Sequence, residues 1–472
     1  MPGVPDVRLR SSAGRGLIGA TALGSGIAFL DATVVNAALP AIGRTFHASF
    51  SGLQWVVTSY LLVLGSLLVL GGSLGDRFGR RRMFVGGVMA FSVSSLGCGL
   101  APSLTVLVLA RLAQGVAAAA LVPGSLALIS ASIHPDDRGA AIGRWTGMTG
   151  VASAVGPFLG GWLIDAVSWR WVFLINVPLA IGAVVLALRY VPESQGKAAG
   201  RIDTGGALTL TVGLAGVVYA LIEQPRHGWT GVVVGAGVVG LGMLVVFPLI
   251  ESRHPTPMVP LAIFRIRQFA GGNAVTFVVW GALAAVLFLL TIHLQQDLGY
   301  SALEAGGSTL PITVMMLLFS SRVGDLAQRF GPRLPMTIGP LVLALAFVLF
   351  RRVSPGGTYV AVVLPAVVVM GLGLVLTVSP LTTAVLGAIS GEYAGVASAV
   401  NNAVSRVAGL LAVATLPAVA GVASGGGSGM SAGFAKAMAI CGGLCVVGAA
   451  IAFATIRKPS ALSQVHLPSR SA

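Results

Sequence analysis

The sequence predicts an all-α integral membrane protein with two six-helix bundles and two extra linking helices, fourteen spans in all. Three observations carry this. The 472 residues are 56% hydrophobic and only 9% charged, with a mean hydropathy of +0.92. A soluble chain carries about 25% charged residues, so the bulk solvent here is lipid. Fourteen apolar segments approach the ~20 residues that cross a bilayer. A charged motif near residue 72 returns at a fixed distance later in the chain.

Taken in order, the first six spans are expected at about 16–39, 53–74, 83–100, 104–131, 139–165 and 170–190. The remaining eight fall at about 204–222, 230–250, 269–292, 303–321, 334–351, 358–388, 395–422 and 432–456. The opening "MPGVPDVRLRSSAGRG" is basic like a signal peptide. The apolar run behind it is too long for a leader and has no cleavage site, so it is read as span 1. The expected units are a tail 1–15, a bundle 16–191, a linker 192–266 with two spans, a bundle 267–456 and a tail 457–472. With both termini in the cytoplasm, inner segments hold twenty Lys and Arg and outer loops six, as the positive-inside rule requires. Cys98, Cys441 and Cys445 sit in apolar runs and read as small buried residues.

"GSLGDRFGRRR" from Gly72 is echoed by "GDLAQRFGPRL" from Gly324, at an offset of 252. Each copy follows the second span of a six-span unit, which marks a parallel duplication of a kind transporters use. The second copy has Gln328 where the first has Asp76, and Pro332 for Arg80.

Gly72-x-Leu74-Gly75-Asp76-Arg77-x-Gly79-Arg80-Arg81 resembles the loop 2–3 signature of the major facilitator superfamily. "RLAQGVAAAA" from Arg111 resembles its fourth-span motif. "GMTGVASAVGPFLGG", with Gly147, Gly156, Pro157, Gly160 and Gly161, resembles the fifth-span antiporter motif. "LDATVVNAALP", with Asp31 and Asn36, and "WRWVFLINVP" resemble the fourteen-span drug:proton antiporter branch. The resemblance implies a major facilitator fold and proton-coupled export of drugs, antibiotics or antiseptics by alternating access. It also implies a fifth-span gate that seals one face; the alternative for Gly156-Pro157 is a packing kink.

Intramembrane charge is costly and usually functional. Asp31 is the one acid well inside a span. Counted along their helices, Asp31 and Arg111 lie at similar depth and are expected to pair, either as proton carrier and its partner or as a static lock between spans 1 and 4. Arg144 lies near the inner surface and reaches water, whereas Arg406 lies near mid-membrane beside Asn401 and Asn402. The expected substrate cavity comprises Asp31, Asn36, Trp55, Tyr60, Arg111, Asn401, Asn402 and Arg406. Trp55 and Tyr60 alternatively belong to an interfacial aromatic belt. In the loop, Asp76 is expected to accept hydrogen bonds from the start of span 13 near Gly395, and Arg77 and Arg80 to pair with Asp136 or Asp137, latching one conformation.

The expected partners are a small-molecule substrate, protons and the lipid bilayer of a bacterial inner membrane, with the chain a monomer. The arginines punctuate apolar segments without forming a basic face, which argues against nucleic acid. The six histidines are scattered at loops and span ends, so no catalytic or metal constellation is expected. No cofactor is expected, and the lack of a GxxxxGK[ST] loop leaves the proton gradient as energy source. The alternative is a dedicated exporter of one metabolite; a membrane enzyme or a receptor fits less well.

Overall fold

The computed structural model describes residues 7–196, 203–389, 394–422 and 428–457. Fourteen helical spans are long and apolar enough to cross a membrane. The first half holds α1 (Ser12–Phe46), α2 (Phe50–Phe78), α3 (Arg80–Gly99), α4 (Leu104–Ser132) and α5 (Pro135–Ala166). Its sixth span is broken into α6 (Trp171–Leu174) and α7 (Asn176–Tyr190). The linking pair is α8 (Thr204–His227) and α9 (Gly231–Arg253). The second half holds α10 (Arg267–Gln296), α11 (Ala302–Gly307), α12 (Leu310–Phe330), α13 (Arg333–Phe350), α14 (Leu364–Leu386), α15 (Ala394–Ala420) and α16 (Ser428–Thr455).

Helices α1 and α5 run beyond the apolar segments that announce them. The reason is capping: the Ser11 side chain accepts from Gly14 N at the start of α1, and His47 closes its end in the left-handed conformation at φ 49°. Ser49 and Ser103 cap α2 and α4 in the same way.

The two halves repeat one plan. In the first, α1 packs on α5 and α7, and α4 packs between α2 and α3; in the second, α10 packs on α15 and α16, and α13 on α14 and α16. The echoed motif repeats in three dimensions as well. Gly79 ends α2 at φ 105° and Gly331 ends α12 at φ 90°, at equivalent positions. Both backbones lie where an L side chain is strained, which explains why glycine stands there in both copies. The linking helices pair with each other; α8 also rests on α2 and α15, while α9 turns Val232, Val238, Leu241, Val245 and Leu249 outward, as lipid contact requires.

The even number of spans puts the start of α1 and the end of α16 on one side of the membrane, called here the terminal side. On the far side the halves are closed. An added Cβ on Gly161 would meet the Ala302 carbonyl, and one on Gly306 would meet that of Pro157, so α5 and α11 cross backbone to backbone. Asp165 clasps the start of α11, its carboxylate accepting from Ala302 N at 3.3 Å and Leu303 N at 2.8 Å. Gln295 donates to the Ala37 carbonyl at 3.0 Å and Gln54 to that of Val413 at 2.7 Å. Toward the terminal side one face of α5 is uncovered: Gly139, Gly143, Gly147 and Gly150 have open space around them, while Ala141, Ile142 and Trp145 pack into the first half.

Candidate proton and substrate site

Asp31 sits fully buried among α1, α3, α4 and α7. Its Oδ2 takes an ion pair from Arg111 Nη1. Its Oδ1 accepts from Gln114 Nε2 at 3.0 Å and Asn176 Nδ2 at 3.3 Å. Ser95 Oγ accepts from both amides, at 3.1 and 2.9 Å, and donates to the Phe173 carbonyl at 3.0 Å. The helix period explains part of this assembly, since Arg111 and Gln114 are three apart and share one face of α4.

Arg111 is buried too, and both its Nε and its Nη1 donate. Nε donates to the Val56 carbonyl at 3.1 Å and Nη1 to Gln114 Oε1 at 2.7 Å. The guanidinium lies 4.3 Å from the Tyr60 ring centroid and 5.8 Å from that of Phe173. None of these contacts involves the carboxylate. A buried cation stripped of its partner ordinarily costs about 3–5 kcal/mol; here carbonyls and aromatic faces soften that loss.

Asp31 and Arg111 therefore meet, but they lie inside the first half and not on a cavity wall. Tyr60 is likewise covered, its hydroxyl 3.4 Å from the Ala28 carbonyl. Trp55 faces the linker, donating to Glu223 Oε1 at 2.8 Å beside Tyr219. These positions correct the expectation that Asp31, Arg111, Tyr60 and Trp55 line the cavity. The reason is that α8 occupies the outer surface of α2, and Arg111 fills the space beneath Tyr60.

In the second half, a cavity of about 160 Å³ is lined by Trp280 of α10, Thr382 and Val385 of α14, and Ser398, Asn401, Asn402 and Ser405 of α15. Asn401 donates to Thr276 Oγ1 at 2.8 Å and to Asn273 Oδ1 at 3.1 Å. Asn402 turns back on the Ser398 carbonyl. Arg406, one turn further along α15, places its guanidinium 5.5 Å from the Phe29 ring of the opposite half. No ion pair with an acid compensates Arg406 among the described residues. Gly65 of α2 makes room for it, since a Cβ there would stand 3.3 Å from that of Arg406. Asn36 lies on the same face of α1 as Phe29, and its Oδ1 is buried without a hydrogen-bond partner.

The loop knot is arranged differently from the sequence expectation. Arg80 Nε pairs with Asp76 Oδ1 at 2.7 Å, one turn away, instead of with Asp136 or Asp137. Asp136 faces Arg8 and His134, and Asp137 accepts from Leu9 N at 3.0 Å. Arg77 is exposed, 5.9 Å from the Phe78 ring. The segment after α7 closes on the knot: Gly196 N donates to the Asp76 carbonyl, Arg80 N to that of Ser194, and Arg81 N to Glu193 Oε1. Glu193 also lies 3.8 Å from both Arg81 and Arg82. Gly72 packs near Pro123, and Gly79 leaves the room that Glu193 fills. Residues 390–393, ahead of Gly395, and the Gln328 side chain lie outside the described set, so the span-13 end of the expected latch does too.

The fifth-span motif divides. Gly156 and Gly160 pack on Thr33 and Val34, and Gly161 and Pro157 meet α11, whereas Gly147 stands free at the open end. Reading by residue missed Gln114, Asn176, Ser95, Glu193 and Asp165. Gln114 and Asn176 do stand inside quoted motifs, but Ser95, Glu193 and Asp165 carry no local signal.

The sequence profile of the Major Facilitator Superfamily matches residues 21–413. Multidrug resistance protein Stp of Mycobacterium tuberculosis is 38% identical over 384 residues, covering 80% of this chain and 70% of Stp. The tetracenomycin C resistance and export protein of Streptomyces glaucescens is 34% identical, with the same coverage of 80% and 70%. The methylenomycin A resistance protein of Bacillus subtilis is 33% identical, covering 86% and 87%. Among solved structures, a POT family transporter in complex with 5-aminolevulinic acid superposes with a TM-score of 0.71 at 14% identity, over 94% of this chain and 97% of that one. A D-xylose-proton symporter gives 0.67 at 16%, over 94% and 98%. These two likenesses concern the fold.

Proposed function

Since this chain belongs to the Major Facilitator Superfamily and is a multi-pass membrane transporter, not an enzyme, we propose that it exports small organic molecules, antibiotics and other drugs among them, in exchange for protons. The terminal side is then the cytoplasm of a bacterial cell, consistent with the twenty basic residues assigned to it.

The observation that carries proton coupling is the enclosure of Asp31 by Arg111, Gln114 and Asn176. All three donate, so this is the shell of an ionised carboxylate. The form open to the terminal side is then the deprotonated one. A proton reaching Asp31 from the far side dissolves the ion pair, Arg111 falls back on Val56, Gln114 and the Tyr60 ring, and the grip of α1 on α4 loosens. Substrate would lie in the cavity at Asn401 and Asn402, one turn from Arg406, and the rocking of the halves would exchange it for the proton. That several relatives are named for single compounds supports a narrower reading, an exporter of one natural product.

The test is efflux from proteoliposomes under an imposed pH gradient, compared with downhill exchange without one. Asp31→Asn is expected to abolish accumulation against a gradient while keeping downhill movement. Undiminished uphill transport by the variant refutes the coupling role, and loss of folded protein marks Asp31 as a structural lock.

A further inference from the structure

The linker holds a buried pair of acids, Asp203 at the start of α8 and Glu251 near the end of α9. Asp203 caps α8, its Oδ1 accepting from Gly206 N at 2.7 Å, and its Oδ2 lies 3.5 Å from Met258 N. Glu251, on the last turns of α9, accepts at Oε2 from Val259 N at 3.1 Å. Both are buried, 4% and 2% exposed. Asp203 Oδ2 and Glu251 Oε1 converge over Gly206, each 2.7 Å from where a Cβ on that glycine would stand. Glu251 Oε1 has no donor.

Two carboxylates cannot hydrogen-bond each other, because both only accept. No basic side chain forms an ion pair with either among the described residues. Of the nearby charged groups, Arg253 and Arg265 point to solvent, and the His254 ring accepts from Thr256 N. The faces that α2 and α15 turn toward this corner are apolar, Val69, Ala399 and Ala403 packing with Met258 and Ala207. Asp203 stands at a helix N-terminus, which favours its charge. Glu251 is therefore the acid that carries hydrogen.

We propose that Asp203 and Glu251 form a second proton-binding site, whose single bound proton, donated from Glu251 Oε1 to Asp203 Oδ2, fastens the strap Pro255–Pro260 over the junction of the two halves. With the proton bound, the acids hold Met258 N and Val259 N, and Met258 seals the corner shared by α2, α8 and α15. When the proton leaves, two negative charges face each other in an apolar pocket, and the strap is released. The bound proton is taken up on folding, so stability is retained at lower pH and lost as pH rises through the range where it departs.

The test uses the full chain in lipid nanodiscs and does not depend on transport, so it stands or falls separately from the role of Asp31. Infrared pH-difference spectra are expected to show the C=O band of a protonated carboxyl, absent from Glu251→Gln and retained in Asp31→Asn. Hydrogen exchange at Met258 and Val259 is expected to accelerate by tenfold or more beyond the intrinsic rate on going from neutral to alkaline pH. In Glu251→Gln, whose amide donates permanently to Asp203, that acceleration is lost. Should Glu251→Gln not fold, Asp203→Asn supplies the donor from the other side and is likewise expected to lose the band. A native protein without the band, a band that survives both substitutions, or strap exchange that follows the intrinsic pH dependence overturns the proposal.

Discussion

Asp31 is satisfied by three side chains from two other helices, so each donor can be weighed by its removal. Gln114→Leu leaves Asp31 Oδ1 one donor short and Ser95 without one of its partners. Hydrogen bonds to charged groups contribute about 1.5–3 kcal/mol each, so a loss of that order is expected in the free energy of unfolding, read by denaturant titration in detergent. Arg406 poses the opposite case, a cation expected near the membrane centre that lies against the Phe29 ring and Gly65 with no ion pair to an acid among the described residues. A cation in low dielectric repels like charge and attracts anions strongly. Arg406→Gln is expected to lower efflux of anionic substrates at least tenfold relative to cationic ones, while Arg406→Lys keeps the preference. Robust quaternary-ammonium efflux by the native protein, unchanged in both variants, contradicts this.

Helices α5 and α11 meet through glycine and through one carboxylate. The Asp165 side chain accepts two backbone amides at the positive end of α11, and Gly306 allows the Pro157 carbonyl to approach. Asp165→Ala removes the clasp without adding bulk at the crossing. It is expected to shift the protein toward the form open to the far side, seen as faster labelling of a cysteine placed on the far-side end of α10. Unchanged labelling assigns closure to the glycines alone. On the terminal side, Glu193 joins the segment after α7 to the start of α3. Glu193→Gln is expected to reduce transport turnover several-fold with substrate affinity nearly unchanged, because it loosens a contact remote from the cavity.

The far side is closed, whereas toward the terminal side the glycine face of α5 is uncovered. Gly147→Cys is accordingly expected to react quickly with a membrane-impermeant maleimide applied from the terminal side, and Ala302→Cys slowly. The three native cysteines are buried and do not interfere. Excess substrate with a pH gradient should narrow that difference as the halves alternate. Equal reactivity of the two sites without a gradient contradicts the resting state described.

The span number and the repeat were legible in the sequence because lipid imposes long apolar segments and a duplication preserves spacing. Gly79 and Gly331 show how local this information is: a positive φ selects glycine wherever it occurs. The pairing of Asp31 with Arg111 was also legible, since two opposite charges at equal depth have no better partners. What only the tertiary structure decided is which way side chains turn. Trp55 faces α8 and not the cavity because a linking helix covers that side of α2. Arg80 binds Asp76 because Glu193 and Ser194 hold the start of α3 from a segment over a hundred residues away. Gln114, Asn176 and Ser95 become one carboxylate shell, and Asp203 and Glu251 one acid pair, only when separate helices converge. Depth along a helix is fixed by counting residues, but rotation about its axis is set by what packs against it.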